Sequence, residues 1–133
     1  MKPKIIVEQC EIYPHSRNYH IGSIICTTKG AGFWMPIERV DKKNLKIIGE
    51  LGRQIIDSLG HQLGIRFLYL EPSFLFVVKH KAFDWKSIEN NILEALIPAV
   101  SGTRDLLEVV NEECYCQTGD FRCLLVNQFH QSD

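Results

Sequence analysis

The sequence predicts an α+β fold in which an antiparallel sheet built from hairpins packs against two main helices, mostly on one face. Three observations lead to this prediction: short apolar segments of strand length, two longer segments with apolar residues at spacings of three and four, and turn-type residues between consecutive strands. The expected element order is β-β-α-β-β-α-β-β. Short connections between consecutive strands favour antiparallel pairing.

The N-terminal part of the chain predicts a β-hairpin. Its strands are expected at residues 5–13 and 19–28, which are rich in β-branched and aromatic residues, with a turn-like polar segment at 14–18 between them. The Gly-Ala-Gly segment at 30–32 is expected to break the second strand. We therefore assign residues 1–30 to an N-terminal hairpin, and the sequence leaves open whether it joins the main sheet or a partner.

Two segments predict helices. Residues 41–59 carry apolar side chains at spacings of three and four, with Asp41 as the expected N-cap and Gly60 as the expected stop. A second helix is expected to start after Asp84. Pro98 predicts a kink or an early end in that helix, because proline lacks the backbone N–H that a helix interior needs.

The remaining strands form two further predicted hairpins. They are expected at residues 65–70, 74–78, 106–116 and 121–129. With the two helices they make up a predicted core over residues 41–130. The whole chain, residues 1–133, has the length of one ordinary domain.

The composition argues against several classes of protein. Hydrophobic residues make up 45% of the chain and charged residues 23%, so a packed core is expected and disorder is not. A formal net charge of -1 argues against nucleic acid as a partner, because phosphate binding needs a basic excess. No apolar stretch approaches the roughly 20 residues of a membrane span, and residues 1–8 do not have the pattern of a secretory signal. The five cysteines, an odd number, favour a reduced, cytoplasmic protein.

The C-terminal third carries the features of a known family. A helical segment at 92–96 is followed by Gly102, an acidic strand, the turn Gly119–Asp120, and Cys123 three residues after the aspartate. This order resembles the C-terminal end of the 4-vinyl-reductase domain family, the small-molecule-binding relatives of vesicle-tethering transport-particle subunits. Tyr115 stands where that family has its first cysteine.

The resemblance implies a non-catalytic function. Relatives bind hydrophobic or aromatic ligands, or tetrapyrrole-like molecules, often as the sensing part of a regulator, and some hold a zinc ion with cysteines of this turn. We therefore expect a sensor domain for a small hydrophobic molecule. The alternative is a protein–protein interaction module, either a dimerising scaffold subunit or a small inhibitor of a partner protein.

Three cysteines form a candidate metal site. Cys114 and Cys116 would point to the same face of a strand, and the turn before Cys123 would bring its sulfur towards them. Zinc takes four ligands and favours thiolates, and the fourth could be Glu113, Glu112 or a histidine that the fold brings close. Two interpretations stay open: a structural zinc site, or cysteines that serve as small buried hydrophobes.

Aromatic residues form a candidate ligand site. A pocket for a hydrophobic molecule is lined mostly by apolar side chains with a few polar anchors. The predicted ligand residues are Trp34, Phe67, Tyr69, Phe74, Phe76 and Trp85, with His80 as a contact for an anionic group. The sequence does not separate a slot for a flat ligand from a packed core.

No complete catalytic set is visible, which favours a function without catalysis. The Gly-Ala-Gly segment at 30–32 lacks the Lys-Ser/Thr ending of a phosphate loop. Glu112 and Glu113 would lie on alternate faces of a strand, so they would not share an acid–base site. A tetrapyrrole-processing enzyme has only the family name in its support.

Overall fold

The computed structural model describes residues 4–10, 13–28, 30–36, 42–100 and 108–113. Within these ranges the chain is α+β, as the sequence predicts. The elements are β1 (Lys4–Cys10), β2 (Tyr13–Ile21), β3 (Ala31–Trp34), α1 (Lys42–Ile47), α2 (Glu50–Leu59), β4 (Ile65–Glu71), β5 (Phe74–Lys79), α3 (Trp85–Val100) and β6 (Glu108–Glu113). The predicted strand at 121–129 and the N-cap Asp41 lie outside the described residues.

The described strands form one six-stranded sheet in the order β3-β4-β5-β2-β1-β6. Four neighbouring pairs are antiparallel, but β1 and β6 are parallel, so the prediction of a purely antiparallel sheet is wrong. The physical reason is α3, which carries the chain from the end of β5 back across the sheet. A helical crossover of this kind starts the next strand at the same end of the sheet, whereas a short loop would reverse it.

The N-terminal hairpin joins the main sheet. Its strands β1 and β2 lie between β5 and β6, and β2 pairs with β5 from Ser16 to His20. The predicted turn at 14–18 is wrong, because these residues lie inside β2. Their polar side chains reach other elements of the fold; the Asn18 amide, for example, donates to the Glu8 carboxylate of the neighbouring strand over 3.2 Å.

The predicted order of elements is also wrong at the segment 30–32. This segment was expected to break a strand, but Ala31–Trp34 forms the edge strand β3, which pairs with β4. Gly32 has a packing role there, since a Cβ at this position would lie 2.7 Å from the Phe67 ring. The absence of a side chain therefore lets the ring lie close to the strand backbone.

The predicted helix at 41–59 is interrupted at Gly49. This residue has φ 91°, a backbone conformation that glycine adopts without the steric cost of a Cβ. Thr27, from the loop before β3, donates its hydroxyl to the Ile47 carbonyl over 2.8 Å and its backbone N–H to the Ile48 carbonyl over 3.0 Å. These bonds satisfy carbonyls that a continuous helix would have used itself.

The last described helix runs through its proline. Pro98 lies inside α3, which continues to Val100, so the early end that the sequence predicts is not observed. No described helix is long and apolar enough to cross a membrane.

Buried side chains lie on both faces of the sheet at β5, where every residue is buried. One face packs against α2 and α3 in the main core, which joins Tyr19 and Leu75 of the strands to Ile56 and Ile92 of the helices. The other face carries a smaller buried cluster, made of Phe67, Phe74, Phe76 and Val78, with Tyr13 and Tyr69 packed against it. We call this second set the aromatic face.

Candidate functional site

The structure brings five of the seven predicted ligand residues together. Alternation along β3, β4 and β5 directs all five to the side of the sheet opposite α2 and α3. They are Trp34, Phe67, Tyr69, Phe74 and Phe76. The rings of Trp34 and Phe67 are 4.8 Å apart between centroids, and those of Tyr69 and Phe74 are 6.3 Å apart.

Most of the aromatic face is packed within the chain itself. Phe76 is fully buried, Phe67 and Phe74 are 6% and 8% exposed, and only Trp34 is about half exposed, at 49%. Burial raises the pKa of the Tyr69 hydroxyl, and the neighbouring Glu71 carboxylate raises it further. These rings offer little free surface for a ligand.

The other two predicted ligand residues lie elsewhere. Trp85 begins α3, and its indole N–H donates to the Pro14 carbonyl over 2.8 Å. His80 follows β5 and is exposed. The structure therefore separates these two side chains from the aromatic face.

The predicted metal site falls mostly outside the described residues, which include none of Cys114, Cys116 and Cys123. Glu113 is exposed at the end of β6, the last strand of the sheet in its described part, where the Gln9 amide lies 3.4 Å from its carboxylate. Within the described ranges no group of three metal-binding side chains is found. Zinc stays a prediction.

A cleft opens at the end of the sheet where β4 begins and β5 ends. It encloses about 430 Å³ between the loop after α2, the turn before α3, and the end of β3. Its lining is mainly apolar, with two imidazoles and one amide; the residues are Met35, Pro36, Gly60, His61, Gln62, Leu63, Gly64, Ile65, His80 and Phe83. This combination is typical of a small-molecule pocket.

Local backbone chemistry shapes the floor of the cleft. Gly64 has φ 96°, and a Cβ at this position would lie 2.8 Å from the Phe83 ring, so glycine permits both the turn and the close packing. The His80 backbone N–H donates to the Gly64 carbonyl over 2.8 Å and ties the two loops together. At the rim, the Leu63 side chain is 75% exposed.

A charged network lies on the opposite side of the sheet from the aromatic face. The Glu89 carboxylate of α3 accepts from the Arg17 guanidinium over 2.7 Å and from the Tyr19 hydroxyl over 3.0 Å. Burial raises the pKa of Tyr19 well above its ordinary value, and the Glu89 charge adds to this effect. The Arg17 guanidinium also lies 4.6 Å from the centre of the Trp85 ring.

Sequence reasoning missed most of the cleft. Leu63 and Phe83 are isolated apolar residues in loops, and loop residues have no periodic pattern that marks them as ligand contacts. The sequence gives one local signal: Leu63 stands next to a glycine in the loop after α2, and its side chain forms the exposed apolar rim.

Comparison with known proteins assigns no family to this chain. No protein-family model matches the chain, and no match to a curated protein was found. The resemblance to the 4-vinyl-reductase domain family therefore stays a prediction.

Proposed function

We propose that the protein binds a small hydrophobic molecule in the cleft between the loops at 60–64 and 80–83, without catalysing a reaction. The observation that carries this proposal is a concave site of about 430 Å³ with an apolar floor and two imidazoles at its wall. The family resemblance implies a sensor role, and such a site is compatible with it. A bound ligand would contact both the loop after α2 and the turn before α3, and so would connect the two helices.

The shape of the cleft favours a compact ligand. Pockets for small molecules usually enclose about 300–1,000 Å³, so this cleft lies near the lower end. A molecule smaller than a tetrapyrrole suits that volume. His61 and His80 are the polar groups that would orient it, and the exposed Leu63 would cover one side.

Removing the apolar rim is expected to weaken binding. Leu63→Asp places a charge beside the cleft, and the loss of one apolar contact of about 1–3 kcal/mol predicts binding about 5- to 150-fold weaker. The measurement is a fluorescence titration with anilinonaphthalenesulfonate, a flat apolar probe with one negative charge. Wild-type protein should show saturable binding.

The matched control is Ile24→Asp. Ile24 is likewise exposed, at 67%, but lies next to the turn at 72–73, at the other end of the sheet. Thermal unfolding would verify that both variants keep the fold. Equal probe affinity for wild type and Leu63→Asp, or an equal loss in both variants, would remove the cleft as the binding site.

Trp34 favours the second candidate, a protein–protein interaction. It is half exposed on the edge strand β3, with the Arg66 guanidinium 5.8 Å from its ring centre. Tryptophan and arginine are enriched among residues that dominate binding energy at interfaces. If β3 pairs two copies of the chain, Trp34→Ala should convert a dimer to a monomer in light scattering. A wild-type monomer at all concentrations would leave the cleft as the favoured site.

A further inference from the structure

Lys79 is a lysine whose side chain lies mostly inside the protein and whose amine is partly buried. It is the last residue of β5, is only 7% exposed, and belongs to the side of the sheet that faces α3. Its Nζ lies 3.3 Å from the Nδ1 of His15 and 3.4 Å from the His80 carbonyl oxygen. The Trp85 ring centre is 5.9 Å away.

Within the part of the chain that the structure describes, no carboxylate forms an ion pair with this amine. The ion pairs found among the described residues join Arg17 to Glu89, His20 to Glu8, and Arg53 to Glu50, and none includes Lys79. A buried lysine is ordinarily paired, because an isolated ammonium group loses its hydration without compensation.

The surroundings make this amine easier to deprotonate than an exposed lysine. Burial lowers the pKa of the Lys79 ammonium, Asp84 opposes this effect by its negative charge, and the Arg17 guanidinium adds to it. The Glu89 carboxylate, the acidic group of α3 in this region, bonds to Arg17 and Tyr19. A neutral amine is the form of lysine that attacks carbonyl carbon.

We propose that Lys79 is a nucleophilic amine that condenses reversibly with small aldehydes or ketones, with His15 as the proton acceptor. The lone pair of Nζ attacks the carbonyl carbon, and the electrons of the C=O bond move to oxygen. The proton of the attacking nitrogen passes to Nδ1 of His15. The resulting carbinolamine takes up a proton on oxygen and loses water, so that amine and carbonyl give an imine and one water molecule.

Neighbouring groups suit this reaction. His15 and Trp85 stand beside the amine and are themselves only partly buried, so small molecules can approach through side-chain movement. Among the described residues, the Nε of Arg17 is buried and has no hydrogen-bond partner. Arg17 and Lys79 contact the same Trp85 ring, which places both groups on one side of α3.

The test is reductive methylation of the wild-type protein with limiting formaldehyde and cyanoborohydride near neutral pH. Cyanoborohydride reduces the imine to a methylamine, and peptide mass spectrometry gives the rate at each lysine. The internal control is Lys81, an exposed lysine two residues away. We expect Lys79 to be labelled faster than Lys81, since a lowered pKa raises the fraction of free amine at a given pH.

If Lys79 is buried but its amine is no more reactive than that of other lysines, the opposite result is expected. A lysine that is only shielded from solvent would be labelled more slowly than Lys81, and an equal or slower rate at Lys79 would overturn the proposal. His15→Gln should bring the Lys79 rate down towards that of Lys81 and leave Lys81 unchanged. A Lys79 rate unaffected by His15→Gln would overturn the assignment of His15.

Discussion

Replacing Glu89 with alanine is expected to lower the free energy of unfolding by about 3 kcal/mol. Glu89 accepts from the Arg17 guanidinium and from the Tyr19 hydroxyl, and the side chains of Arg17 and Glu89 are only 16% and 25% exposed. The variant leaves a guanidinium and a fully buried tyrosine without their acceptor. Urea unfolding followed by circular dichroism measures the loss.

The control for this prediction is Glu50→Ala. Glu50 also pairs with an arginine, Arg53, at 2.8 Å, but their side chains are 68% and 51% exposed. Exposed pairs of this kind contribute about 0–1 kcal/mol because water and salt screen them. Glu89→Gln separates charge from hydrogen bonding, since the amide oxygen can still accept from both donors, which in the wild type bond to one carboxylate oxygen. Similar losses in Glu89→Ala and Glu50→Ala would contradict a structural role for the network.

Local signals in the sequence predicted the elements that depend on nearby residues. The hairpin of β4 and β5 lies within one residue of its predicted strands, because the turn at 71–73 and the flanking apolar runs are adjacent in the chain. The start of α3 after Asp84 was likewise predicted from a capping residue and a periodic apolar face.

Long-range contacts explain what the sequence did not predict. From the sequence alone, the polar residues of β2 resemble a turn, because their partners are distant in the chain. Glu89, for example, is 72 positions from Arg17. The parallel pairing of β1 with β6 depends on the end of the sheet to which α3 returns the chain. No local pattern in the sequence carries that information. The split at Gly49 depends on Thr27, which comes from a distant loop.

The candidate site was only partly predictable for the same reason. Alternation along a strand places Phe67 and Tyr69 on one face of β4 and Phe74 and Phe76 on one face of β5, and strand pairing puts these two pairs on the same side of the sheet. Alternation does not tell which side the helices cover. The cleft with His80 instead arises where three loops meet, and loop conformation is set by contacts that no periodicity records.

Phe76→Ala is expected to lower the free energy of unfolding by about 3–5 kcal/mol, because it removes a large, fully buried ring and leaves a cavity. This prediction separates the two interpretations of the aromatic face. Removing a ring that packs in the core lowers the free energy of unfolding. Removing a ring that contacts a ligand lowers mainly the affinity for that ligand. Its complete burial within the chain favours the first interpretation. Thermal and urea unfolding measure the change.

Two comparisons make the Phe76 result specific. Phe76→Leu keeps most of the buried volume and should cost only about 1 kcal/mol, as volume-conserving core changes do. Trp34→Ala, at the half-exposed border of the same face, should destabilise the protein clearly less than Phe76→Ala, because much of its surface already contacts water. If Phe76→Ala left stability unchanged but reduced binding of anilinonaphthalenesulfonate, the aromatic face and not the cleft would be the ligand site.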